Sequence, residues 1–546
     1  MRILAGALGD CVHVAGINHF LSLAEQLGHE TLFAGPATDA ESWAELARDF
    51  QPDIIGVSYR LTPENARLAL KEFWAIMQAA GLTDRRFVFG GTPPVAAVAR
   101  EMDVFEAVFD GNDPPSTILH YLKDEGQQGN TRTIPPQTTI ERMQWKAPYP
   151  LLRHHFGIPA QTIDPTVDGI AQIAESGVLD VISLGADQDA QENFFRPDLQ
   201  NLASKGAGGV PIRTPEDLQR LYKASRCGNY PLMRSYSGTA DLLRYAETLV
   251  KTIHNAWCAT SLFWFNAMDG RGPLSLEESI RAHIALMAWH GKRTIPVEGN
   301  EPYHWGMRDA HDVISVAASY LYAYNAKKAG VRDYITTYMF ESPPTLSNRM
   351  DLAKALAQIQ VAESFVDDTF RIWRQTRTGL LSYPVNTHRA RAHLAASIYL
   401  QMALRPSLIH VVGYTEADHA ATAAEVIESA TMAHQVIDTA LAGQPDMTKD
   451  RAIQERVAHL VKEAGVIIDA IRQLGENTAE DPLSDPATLA RAVQVGILDT
   501  PQLKRNRFAR GEIRTRAIDG AIWAVDDENR PLTEERRIHD LGLRVR

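Results

Sequence analysis

Short apolar runs alternate with amphipathic stretches through the first 125 residues. Residues 1–6, 31–34, 53–58, 86–90 and 104–109 read as strands. Between them, 18–27, 40–49 and 65–80 carry apolar residues at helical spacing. Strands alternating with helices predict a parallel, doubly wound sheet of flavodoxin (Rossmann-like) type, which binds ligands beyond the carboxyl ends of its strands. Those ends hold Gly9-Asp10-Cys11-Val12-His13, Ser58-Tyr59-Arg60 and Gly90-Gly91.

The stretch 125–139 is polar, contains Gly and Pro and has almost no apolar period. It predicts a linker over 125–145 between a first domain at 1–124 and a second at 146–445. Strand candidates then recur near 151–155, 180–184, 231–235, 258–265, 294–298, 334–340, 380–385 and 408–413, with helical stretches between them. Eight strand–helix units predict a (β/α)8 barrel (TIM barrel) whose chemistry sits on one rim. Residues 448–474 read as a helix, within a helical and mixed C-terminal extension over 446–546.

Composition narrows the function classes. A chain of 546 residues has room for two to four domains, and 45% hydrophobic with 22% charged residues excludes wholesale disorder. With 55 basic against 67 acidic residues, a net charge of −12 and no recurring basic stripe, nucleic acid is not an expected partner. Three scattered cysteines, Cys11, Cys227 and Cys258, support neither a disulfide scaffold, a structural zinc nor an iron–sulfur cluster, and point to the cytoplasm. No uncharged apolar run of about 18 residues is present, so no membrane span is expected.

One motif carries specific chemistry. Asp10-Cys11-Val12-His13-Val14-Ala15-Gly16 is followed after 41 residues by Ser58, and Leu61 is followed after 28 residues by Gly90-Gly91. This resembles the cobalamin-binding pattern D-x-H-x-x-G, S-x-L, G-G of glutamate mutase, methylmalonyl-CoA mutase and corrinoid methyl carriers. The resemblance implies His13 as lower axial ligand of cobalt and Asp10 as the carboxylate behind it. It makes Gly16, Ser58, Leu61, Gly90 and Gly91 the bed of the displaced nucleotide tail. A neutral imidazole suits that ligand role, and a hydrogen-bonded carboxylate fixes its tautomer. Two departures stand out: Asp10 and His13 are two residues apart instead of one, and Ser58-Tyr59-Arg60-Leu61 is one residue longer than S-x-L.

The second region resembles the barrel subunit of glutamate mutase (methylaspartate mutase). The likeness is carried by Asn300-Glu301-Pro302-Tyr303, by the strand end Leu232 to Thr239, and by Val495 to Pro501 with Pro531 to Glu535. In that family the two modules are separate chains; here they are fused, cofactor domain first. Of the family's three carboxylate-binding arginines, one matches Arg234, one falls near Gln191 and one has no clear match near Arg153. Its adenosyl-contacting lysine falls at Gly413 and its catalytic glutamate near Thr260. The resemblance therefore implies an adenosylcobalamin-dependent isomerase with a substrate other than glutamate.

Read from residue chemistry, Arg234 suits a bidentate carboxylate contact. Glu298 and Glu301 are candidates for a base or an amine-binding group. Gln191, Asn266, Asp269, His304 and Tyr414 are candidates to complete the pocket. Because Gln191 is neutral, a dicarboxylate is an unfavourable substrate unless Arg196 supplies the missing charge. His388, His393, Arg389 and Arg391 admit a metal or phosphate site but suit a solvated helix face better. The partner expected is a small carboxylate, and a homodimer is one assembly open to such a chain. Corrinoid methyl transfer and non-catalytic cobalamin sensing or carriage remain the rival functions.

Overall fold

The computed structural model describes residues 1–111, 117–118, 121–122, 134–201, 203 and 205–543. It divides into two compact units, Met1–Thr133 and Ile134–Arg546. Of the stretch read as a linker, 125–133 lies outside the described residues, and Thr139–Lys146 forms a helix.

The first unit is a five-stranded sheet. Strands β1 (Arg2–Leu8), β2 (Glu30–Thr38), β3 (Ile54–Tyr59), β4 (Arg86–Gly91) and β5 (Ala107–Phe109) lie in the order β2-β1-β3-β4-β5, and every pairing is parallel. Alternate residues of a strand face opposite ways, and here both faces are covered. Leu4, Ile55, Val57 and Phe87 pack beneath the helices Ala40–Phe50, Pro63–Ala79 and Pro93–Glu101. Ile3, Ala5, Ile54 and Val88 pack against Ile17, Phe20 and Leu21 of the helix Ala15–Gln26. Double coverage explains why these strands read as nearly continuous apolar runs.

The second unit is a nearly closed eight-stranded parallel barrel. Its strands are β6 (Leu151–Phe156), β7 (Val181–Leu184), β8 (Leu232–Arg234), β9 (Cys258–Thr260), β10 (Val297–Gly299), β11 (Asp333–Phe340), β12 (Arg371–Thr378) and β13 (Leu408–His410). They run in the order β8-β7-β6-β13-β12-β11-β10-β9. A helix follows each strand, from Asp164–Ser176 after β6 to Ala423–Gly443 after β13. Capping boxes at Thr214, Ser275 and Thr422 start three of these helices. No ladder joins β8 to β9 among the described residues. That seam is spanned by a backbone bond from Ala256 N to Met233 O at 2.9 Å and by Asn255, whose Oδ1 accepts from Ser235 N at 3.0 Å while its Nδ2 donates to Trp257 O at 2.9 Å.

Two strands differ from the sequence reading. The seventh barrel strand is β12, Arg371–Thr378, not 380–385, where Leu380–Ser382 forms a 3-10 turn. Its three arginines hide a barrel strand whose inward residues are polar. The fourth strand ends at Thr260 instead of continuing to 265, because Glu301 draws Leu262 N and Phe263 N into hydrogen bonds of 2.7 and 3.0 Å and turns the chain.

The C-terminal extension shares the barrel's core. Leu460, Ile467 and Ile471 of the helix Arg451–Gly475 pack with Ile314, Leu321 and Leu352 from the helices that follow β10 and β11. Arg456 pairs with Asp312 at 2.9 Å, and Glu534 with His311 at 2.5 Å, all four side chains buried.

Candidate functional site

In the first unit, chemistry collects where β1 and β3 diverge. Gly9 ends β1 at φ +59°, a conformation that favours glycine, and its N–H is held by Thr38 O at 2.8 Å. The chain then descends through His13 into the helix beginning at Ala15. A cavity of about 560 Å³ opens here beside the ends of β3 and β4. Its rim includes His13, Ser58, Thr92 and Asp110, and its walls include Ile17, Phe20, Val57 and Val88.

Five of the seven residues expected to hold cobalamin line this cavity: His13, Gly16, Ser58, Gly90 and Gly91. A Cβ at Gly16 or Gly90 would meet no protein atom within 4 Å, so each leaves open a space that a side chain would enter. Gly91 is required by the strand itself, since a Cβ there would lie 2.7 Å from Tyr59 O. Asp10, expected behind His13, and Leu61, expected in the tail bed, are not among the residues that line the cavity. The Gly9 turn leaves Asp10 exposed, and its charge falls on Tyr59, whose phenol is raised first by burial and then by Asp10. No hydrogen bond joins Asp10 to His13 among the described residues; His13 Nδ1 instead makes a long contact with Cys11 Sγ at 4.0 Å. Leu61, in the segment longer by one residue than the family pattern, is 38% exposed. His19, Arg60, Thr92 and Asp110 also line the cavity and were not singled out in the sequence.

In the second unit, the two-residue period of the strands stacks the barrel interior in layers. The lowest is apolar: Leu151, Val181, Leu232, Ile335 and Leu408 pack with Trp257 and Trp373. Two residues further along each strand stand Arg153, Ser183, Arg234, Thr337, Gln375 and His410, and Glu298 of β10 sits among them. Glu298 is fully buried. Its Oε1 accepts from Arg153 Nη2 (3.2 Å), Thr337 Oγ1 (3.2 Å) and Gln375 Nε2 (2.9 Å), and its Oε2 from Trp257 Nε1 (2.5 Å). Arg234 Nη2 lies 3.7 Å from Oε2. Burial alone would push this carboxyl up, but Arg153, Arg234 and the two donors bring it down to about 2.

Arg234 is therefore not a rim residue. It is 1% exposed, its Nε donates to Ser183 Oγ at 2.9 Å, and Tyr236 lies against it, with Cζ 5.1 Å from the ring centroid. Its Nη1 and the Nε of Arg153 have no hydrogen-bond partner among the described residues. Two guanidinium groups share one carboxylate, so the layer holds surplus positive charge. His410 accepts from Arg153 Nη2 at 3.0 Å if Arg153 donates, as a guanidinium must, and is held far below the usual histidine range by burial and the arginines.

One step further toward the carboxyl ends are Tyr236, His155 and Arg377. They stand below or beside a mouth pocket of about 260 Å³, lined by Gln191, Tyr236, Arg271, Tyr303, His304 and Arg377 among others. Gln191 lines this pocket, its Nε2 donating to Ala186 O at 2.9 Å. Arg196 does not stand in for a missing clamp, because it pairs with Asp241 at 2.7 Å. Gly413 has no room for the family's lysine: a Cβ there would lie 2.9 Å from His154 Nε2.

The other expected site residues serve the fold. Glu301 accepts from Ser261 Oγ, Leu262 N, Phe263 N and Trp305 Nε1, using both oxygens. Asn266 ties Phe263 O to Met268 N, and Asp269 caps Phe265 and Asn266 and pairs with Arg308. Tyr414 joins the ion pair of Arg391 with Glu428 away from the mouth pocket. Arg389 and His388 are exposed, and His393 bonds Ser382 Oγ at 2.8 Å. Among the described residues no group of three or more His, Cys, Asp or Glu side chains is placed to hold a metal ion, and no helix is long and apolar enough to cross a membrane.

No family model matches the chain. Weak structural neighbours are cobalamin-binding proteins. One is a cobalamin-binding protein from Desulfitobacterium hafniense DCB-2, 22% identical over 21% of this chain, with a TM-score of 0.19; the chain spans 55% of its length. Two are structures of the cobalamin-dependent S-adenosylmethionine radical enzyme OxsB. The apo form is 11% identical over 88% of this chain and 69% of its own, with a TM-score of 0.18. The form with aqua-cobalamin and S-adenosylmethionine is 11% identical over 90% and 70%, with a TM-score of 0.18. Likenesses at these TM-scores carry no argument about this chain.

Proposed function

We propose that the chain is a cobalamin-dependent isomerase acting on a small carboxylate, with the adenosyl form of the cofactor. The observation that carries this reading is the cavity at the divergence of β1 and β3, where His13 stands at the rim and Gly16 and Gly90 leave open space beside apolar walls. An apolar slot with a few polar rim groups suits a flat heterocyclic tail that keeps hydrogen-bonding edges. Ser58 and Thr92 are the hydroxyls placed to bond it. His13 is exposed and not committed to a carboxylate, so its imidazole is available as a ligand to cobalt.

When bound, adenosylcobalamin supplies homolytic cobalt–carbon chemistry. The barrel's part is to bind and orient the substrate at the carboxyl ends of its strands, where such barrels hold their sites. The Glu298 layer fixes that floor, because every side chain in it is locked by burial and hydrogen bonds. The mouth pocket above it is small, with Tyr236, Tyr303 and Phe265 as walls that limit water.

The test is a dark titration of the full chain with adenosyl-, methyl- and aqua-cobalamin, followed by a screen of small carboxylates for radical formation by electron paramagnetic resonance. Adenosylcobalamin should bind, His13→Ala should shift the bound spectrum and weaken binding, and a carboxylate should elicit a radical signal. Turnover of methylcobalamin without such a signal would favour methyl transfer. Binding with neither outcome would favour a sensor or carrier.

A further inference from the structure

The mouth pocket contains two donor groups that the described residues leave largely unanswered. Arg377 stands two residues beyond Gln375 on β12, so it shares the inward face with the Glu298 layer but lies one step nearer the mouth. It is 5% exposed, and its single protein hydrogen bond among the described residues is a long one, from Nε to Thr378 O at 3.4 Å. No carboxylate lies within ion-pair distance of it among the described residues, although its charge reaches Glu416 and offsets part of the rise that desolvation gives that carboxyl. An unpaired, largely desolvated guanidinium is costly unless something anionic completes it.

His304 is the second donor. Arg308 Nη1 lies 3.5 Å from His304 Nδ1, and a guanidinium nitrogen can only donate, so Nδ1 is the acceptor and Nε2 carries the proton. That Nε2–H is buried and has no hydrogen-bond partner among the described residues. Burial, then Arg308 and Arg271, holds the ring far below the usual histidine range, so it is a neutral donor. Gln191 contributes the opposite character. Its amide nitrogen is committed to Ala186 O, which leaves a carbonyl oxygen to face a ligand donor.

We infer that the mouth pocket binds a small amino- or hydroxy-monocarboxylate, with Arg377 and His304 taking the carboxylate and Gln191 the amine or hydroxyl. This rests on the reading of the barrel as the substrate-binding unit. Arg377, not Arg234, is then the residue that selects a carboxylate. A second carboxylate has no cation left inside the pocket, since Arg271 is half exposed at its edge and Arg234 is closed over by Tyr236.

Isothermal titration of the full chain tests this with 4-aminobutyrate, 3-hydroxybutyrate, their carboxamides and glutarate. At least one of the two acids should bind, at least tenfold tighter than its carboxamide and than glutarate. Arg377→Gln should remove the preference for acid over carboxamide, and Arg377→Lys should restore part of it. If Arg377→Gln unfolds, the lysine variant bears the test through the size of that preference. The inference is overturned if neither acid binds the wild-type chain, or if the Arg377 variants bind the acid as tightly as wild type. Cobalamin absorbance recorded on the same samples separates the two readings: an acid preference lost in Arg377→Gln stands even where cobalamin fails to bind.

Discussion

Glu298 is the residue on which the barrel interior depends most. It answers two buried arginines and three neutral donors at once, so replacing it leaves guanidinium groups without a counter-charge in a dry layer. Glu298→Gln is expected to destabilise the chain by about 3–5 kcal/mol, read from the shift of its denaturant midpoint. The same carboxyl makes the fold acid-sensitive in a stated direction. Its folded value, about 2, lies below the ordinary carboxylate range, so its contribution is complete above that range and disappears as pH falls toward about 2. Glu298→Gln should flatten that acid limb of the stability profile. In the first unit, Gly90 gives the sharper test. A Cβ there would meet no protein atom within 4 Å and would enter the cavity, so Gly90→Ala should leave the melting midpoint nearly unchanged while reducing cobalamin affinity at least tenfold, a result absorbance titration would register. Spacing between strand ends survives in sequence, so His13, Gly16, Ser58, Gly90 and Gly91 were legible as one cluster, and they line one cavity. Asp10 and Leu61, each beside an inserted residue, stand outside that lining.

At the scale of elements, the strand most important to the mouth was the one the pattern concealed. β12 has Arg371, Arg374 and Arg377 in eight residues, which reads as a solvated loop, whereas the neighbouring 380–385 offers apolar residues and reads as a strand. Interior positions of a barrel are assumed apolar in such readings. Here only the lowest layer is apolar, and Gln375 and Arg377 sit above it, so Arg377 was lost with its strand. The positions of β6, β8, β11 and β13 were close to the reading because their lowest inward residues, Leu151, Leu232, Ile335 and Leu408, are apolar. The β8–β9 seam is the complementary case, a feature with no sequence signature. Beside a backbone bond from Ala256 N to Met233 O, Asn255 ties Ser235 N across the seam to Trp257 O on its own side, and both partners are buried backbone groups. Asn255→Ala should cost about 1–3 kcal/mol and raise amide exchange at Ser235 and the residues around Trp257, with little change on the opposite side of the barrel at β12.

At the scale of the whole chain, two units with separate cores predict separate folding. A chain ending at residue 133 should fold and bind cobalamin alone, and residues 134–546 should melt cooperatively without it, as calorimetry of the two halves would show. Trimming the second half at residue 446 should fail, because Ile467, Leu489 and Ile538 belong to the barrel's own core and Glu534 anchors on His311. The sign of charge also changes between outside and inside. The chain carries a net −12, while the barrel floor holds two guanidinium groups against one carboxylate with Arg377 above them. A carboxylate approaching the mouth is repelled at long range and attracted at short range. Salt screens the exterior strongly and the buried cations weakly. Added salt should therefore speed the entry of an anionic ligand while changing its residence little, the reverse of what electrostatic steering normally produces.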